Sequence, residues 1–77
     1  MENNTSPIIY NGEQIKHLRR LYNISRRELA AESGITILKI TDIEDKKPEN
    51  KIELKTLHAL LIGIKRAARK GANQNNN

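Results

Sequence analysis

The chain contains no cysteine, tryptophan or phenylalanine, and only two tyrosines. Without cysteine there is no disulfide staple and no thiolate metal site. The shortage of aromatic rings removes the stacking platforms on which single-strand and RNA binders hold their bases. No apolar run approaches the roughly 20 residues that span a bilayer, and the opening "MENNTSPIIY" lacks the basic then apolar pattern of a secretory signal. A cytoplasmic protein without a membrane partner is therefore expected. Alternating strand patterns and internal repeats are missing too. No glycine-rich phosphate loop, metal cluster or catalytic pair is visible, so neither an enzyme nor a cofactor is expected. His17 and His58 stand isolated, with no cysteine or paired carboxylate at ligand spacing, and no metal is expected.

What remains is short and basic. Seventy-seven residues make one small domain, and a chain of this length buries only about 60% of its unfolded surface. Fourteen lysines and arginines against nine acids leave a net charge of +5, an excess that favours polyanions. With so few rings to stack on, duplex DNA is the favoured polyanion.

The chain divides into an N-terminal tail (1–10), a helical domain (11–70) and an asparagine-rich tail (71–77). Both ends are expected to lack fixed structure, except that Ile8, Ile9 and Tyr10 are expected to fold back onto the helical core. Asn11 is a candidate N-cap, and Ile15, Leu18 and Tyr22 recur at helical spacing, so a first helix runs to about Asn23. "SRRELAAES" opens with Ser25 three places before Glu28, the spacing of a capping box, and starts a second helix that buries Leu29 and Ala30. Gly34 ends it, since glycine takes positive φ at little cost, and a third helix begins at Thr36. Pro48 breaks the chain after Lys47. A last helix through "IELKTLHALLIGIKRAARKG" carries Leu54, Leu57, Leu60, Leu61, Ile64, Ala67 and Ala68 on one face. It reads as one helix with a possible bend at Gly63, a residue that costs about 1 kcal/mol inside a helix.

The informative spacing lies between Arg26 and Ile43. A short helix, a glycine corner and a second helix need a small residue where they approach, here Ala30, and apolar residues to clamp them, here Leu29, Ile35, Ile40 and Ile43. In these positions the chain resembles the Cro/CI-type (XRE-like) helix-turn-helix family of lambdoid phage repressors, over residues 12 to about 62. The resemblance implies an all-α, lambda-repressor-like DNA-binding domain of four to five helices with a central helix-turn-helix. It implies a sequence-specific transcriptional regulator, most simply a repressor, acting as a homodimer on a palindromic operator. It also implies an ion pair between Arg19 and Glu44, phosphate contacts from Arg26 and from the loop residues Lys46 and Lys47, a backbone contact at Thr36, and base-facing positions at Ile37, Leu38, Thr41 and Asp42.

The residues themselves keep a second reading open. At about 100° per residue, Ile40 facing the core brings Ile37, Ile43 and Glu44 onto the buried side and turns Leu38, Thr41, Asp42 and Asp45 outward. That outer strip holds no Arg, Lys, Gln or Asn, the side chains that bond purine edges at roughly 1–3 kcal/mol of discrimination each. Leu38 against a thymine methyl, Asp42 against a cytosine amino group and Thr41 against either kind of edge remain available. Affinity would then come from phosphate contacts by Arg26, Arg27, Lys39, Lys46, Lys47 and Lys51. The alternative is a protein–protein interaction module reusing the same fold, with Leu38 as an exposed anchor for a protein partner. Lys65, Arg66, Arg69 and Lys70 form a basic strip on the last helix that reads equally as a solvated face.

Overall fold

A computed structural model describes residues 10–47 and 50–74. The expectations for Ile8 and Ile9, for Pro48 and for the final residues 75–77 lie outside the described residues. Among the described residues four helices follow one another: α1 (Gly12–Leu21), α2 (Arg26–Ser33), α3 (Ile37–Asp45) and α4 (Leu54–Gln74). Among the described residues the only extended pairing is an isolated antiparallel bridge between Asn11 and Lys51, which ties the start of α1 to the segment entering α4. No described helix is long and apolar enough to cross a membrane.

One local device starts the helices. Asn11, Ser25 and Thr36 each cap a helix, accepting from the backbone N–H three residues on. Gln14 and Glu28 bond back to the N–H of Asn11 and Ser25, completing capping boxes at α1 and α2. Just before each cap stands an apolar residue (Tyr10, Ile24, Ile35), and four positions after it stands another (Ile15, Leu29, Ile40). These are the two positions of a hydrophobic staple. The later member is fully buried in all three cases, and the earlier one is buried or packed against the core. Ile52 and Leu57 repeat the spacing at the start of α4. The chain's entry into each helix is thus fastened to the core that the helix builds.

The helix ends are equally specific. Asn23 takes a left-handed φ of 58°, and the N–H groups of Asn23 and Ile24 reach back to the carbonyls of Arg20 and Arg19. This is the two-bond pattern of a Schellman motif, with asparagine where glycine is commonest. It ends α1 at Leu21, two residues before the expected stop, and leaves Tyr22 about half exposed instead of packed inside. Gly34 ends α2 at φ 77°, with its N–H on the Ala30 carbonyl.

Ile15, Ile24, Leu29, Ile40, Ile43, Leu57, Leu60 and Ile64 form the core. α2 lies chiefly against α4, and α1 against α3. Two glycines make these contacts close. A Cβ on Gly12 would sit 1.8 Å from the Ile43 carbonyl oxygen, and one on Gly63 would sit 2.6 Å from Ser33 Cβ and 3.0 Å from Leu29 Cδ1. Gly63 is therefore the contact point of α4 with α2, and α4 is a single helix there. Two expectations for α4 need correction. Leu54, the first helical residue, is exposed, and the buried stripe begins at Leu57. The helix also continues past Lys70 to Gln74, since extending an established helix adds a backbone bond for each residue fixed.

Candidate functional site

The centre of the molecule's charged chemistry is Glu44. Its position on the inner side of α3 turns the carboxylate towards α1, where Arg19 meets it through Nε at 2.8 Å and Nη2 at 3.0 Å. The two donors make a planar fork onto one carboxylate, the strongest geometry available to such a pair. Arg19 Nη1 donates in addition to the Ile24 carbonyl at 2.8 Å. Both side chains are buried, so the pair fastens α3, α1 and the turn before α2 at one point.

A second arginine joins them. Arg26, at the first turn of α2, donates Nε to Glu44 Oε1 at 2.9 Å and Nη1 to Thr41 Oγ1 at 3.4 Å, and its Nη2 lies 3.8 Å from Asp45. Burial alone raises the Glu44 pKa. Hydrogen bonds from Arg19 and Arg26, together with their charges, outweigh burial and hold the carboxyl below its ordinary value. The resemblance implies a phosphate contact for Arg26; its guanidinium is part-buried and shared with Glu44, Thr41 and Asp45. Nothing in the linear pattern marks it, because Glu44 lies on another element and the pairing depends on how α2 meets α3.

The outer side of α3 is different in kind. Leu38 is 84% exposed, and Lys39 and Asp42 are exposed beside it. Ile37 is 43% exposed, which corrects its placement on the buried face. It stands in the first turn of α3, where Ile35, one place before the cap, packs against the core in its stead. Thr36 spends its hydroxyl on the Lys39 N–H. Thr41 is half-buried under Arg26.

The acids on this face are not left unbalanced. Asp42 lies 3.7 Å from Lys46, Asp45 lies near Arg26, and Glu44 is inside between two arginines. The negative character of "TDIED" is consequently much weaker at the surface than in the sequence. Exposed cations flank the helix on both sides. Arg27 stands at the start of α2. Lys39, Lys46 and Lys51 border a recess of about 220 Å³ between α3 and the chain entering α4, and Lys47 follows in the loop. Lys70 of the last helix is held by Glu32, while Lys65, Arg66 and Arg69 border a separate shallow recess with Ile62.

Comparison with protein-family models, curated proteins and solved structures gave no match to this chain.

Proposed function

We propose that the protein is a lambda-repressor-like, helix-turn-helix regulator that binds duplex DNA as a homodimer and inserts the outer side of α3 into the major groove. The observation that carries the reading is the unit of α2, a left-handed Gly34 corner and α3, which leaves Leu38 and Asp42 outward between exposed cations, with Thr41 half-buried behind them. In this reading Arg27, Lys39, Lys46, Lys47 and Lys51 hold phosphates and set the register. Arg26 acts at the rim, one side of its guanidinium fixed by Glu44 and Asp45. Leu38 and Asp42 provide apolar contact to thymine and an acceptor for cytosine, a sparse code that reads few base pairs. Two copies on a palindrome, with half-site centres about 34–36 Å apart, double that code.

Selection from a random duplex pool tests the proposal. Enrichment of a palindrome, bound with an affinity that falls steeply as salt rises, supports it. A pool that stays random after repeated rounds sinks it. A second reading is favoured by Leu38 itself, whose exposure exceeds that of the other large apolar side chains described. Here α3 docks a protein through Leu38 and Ile37, with Asp42 and Asp45 at the rim. Leu38→Asp separates the two: it abolishes a protein complex outright, whereas on DNA it reduces selectivity and leaves phosphate-driven binding in place.

A further inference from the structure

On the side of α1 turned away from α3, the surface is apolar and, among the described residues, unpartnered. Tyr10, Glu13, Gln14, His17 and Leu18 border a shallow hollow of about 330 Å³. Leu18, Tyr22, Leu61, Ile64, Lys65 and Ala68 border a second of about 280 Å³ where α1 meets α4. Leu18 belongs to both, so the two form one continuous trough with Leu18 at its middle. Leu21 lies three residues from Leu18 and four from His17, hence on the same side of the helix, and it is 67% exposed. Two large apolar side chains, Leu21 and Tyr22, are thus left in water at the lip of a trough whose floor is apolar.

The trough is also polarised. Its α1 N-terminal end carries Glu13, and its far end carries Lys65. A surface with an apolar centre and opposite charges at its two ends is complementary to itself when turned by a half rotation about the centre. We propose that this trough is the surface on which a second copy of the chain docks, with a two-fold axis near Leu18, each Leu21 set into the other copy's trough and each Glu13 facing the partner's Lys65. This deepens the homodimer element of the reading above and depends on it only in choosing a second copy as occupant. The hollows that make up this face are shallow, so the proposed dimer is a weak one that exchanges with monomer as concentration changes. It also leaves the outer side of α3 uncovered in both copies.

Sedimentation equilibrium of the full chain from micromolar to millimolar concentration tests this, with helical circular dichroism as the check on folding. The expected result is a reversible monomer–dimer equilibrium for the native chain and a monomer throughout for Leu21→Glu. Glu13→Lys and Lys65→Glu each weaken association about tenfold, and the double swap restores it to within about threefold. If Leu21→Glu loses helicity, the two charge variants and their combination decide the matter alone. A native chain that stays monomeric, a Leu21→Glu dimer, or a double swap no better than its singles overturns the proposal. A monomer that still selects an operator removes only this surface; a dimer indifferent to duplex removes only the DNA reading.

Discussion

The two sides of α3 obey opposite rules. Its inner side is over-determined: Ile40 is fully buried, the Ile43 carbonyl abuts Gly12 where only a hydrogen fits, and Glu44 accepts from two arginines. Its outer side has few internal partners: Leu38 stands in solvent, and Asp42 makes one solvent-exposed ion pair. A change on the inner side must be absorbed by the fold, whereas a change on the outer side meets few internal partners and costs stability little. The contrast teaches that α3 is held from behind and is little constrained in front.

The largest blow to this contrast comes from Glu44→Gln. It leaves Arg19 buried without its counter-charge, and removing one partner of a buried pair costs about 3–5 kcal/mol. Urea or guanidinium unfolding measures it; a loss under about 1 kcal/mol would mean that the inner side is no more constrained than the surface. The same carboxylate sets an acid limit. Its folded pKa is depressed, so its stabilisation is complete above the unfolded glutamate range of about 4.3 and is lost as pH falls through the lower folded value. Native stability should therefore drop on acidification below about pH 4, and Glu44→Gln should flatten that part of the profile.

Gly12→Ala comes next. The added methyl forces the start of α1 away from the Ile43 carbonyl, with an expected loss of about 1–3 kcal/mol, read from the same unfolding curves. Gly34→Ala meets open space and loses only the left-handed freedom of glycine, about 1 kcal/mol. Equal losses at the two positions would remove close approach as the reason for Gly12.

On the outer side the effects move from stability to binding. Arg27→Glu and Lys47→Glu should each change stability by less than about 0.5 kcal/mol. Each should weaken duplex binding about tenfold at moderate salt and make its salt dependence shallower; unchanged titrations for both would take the cations out of the interface. Arg27 is the sharper probe than Arg26, whose reversal would place two carboxylates against each other inside the network and confuse unfolding with lost contact. The smallest stability effect belongs to Leu38→Asp, again within about 0.5 kcal/mol, and a larger loss would show that Leu38 packs in solution.

Much of this was legible along the chain because its determinants are local. Ser25 with Glu28, Gly34 as a stop and Thr36 as a cap are read from neighbours three or four residues apart, and so are the apolar stripes that bury Leu29, Ile40 and Leu60. Ile24 was passed over, because it belongs to a turn and not to the helical period; only its place just before the Ser25 cap marks it. The misplacements fall where distant elements decide. Ile37 satisfies the helical period yet stands beyond the core, Leu54 shares a stripe whose burial begins only at Leu57, and Gly63 suggests a weak point in a helix but is the place where α2 comes closest.

From composition and short-range pattern alone follow a helical chain, its caps and turns, and an excess of cations. These depend on backbone hydrogen bonding and amphipathic period, which act over a few residues. Only the tertiary structure decided that Arg26 shares Glu44 with Arg19, that Asp45 lies near an arginine of another helix, that Gly12 and Gly63 are contact points, and that α1 and α4 leave an apolar trough between charges of opposite sign. Each of those requires elements remote in sequence to meet, and the order of residues sets no distance between them until the core has closed.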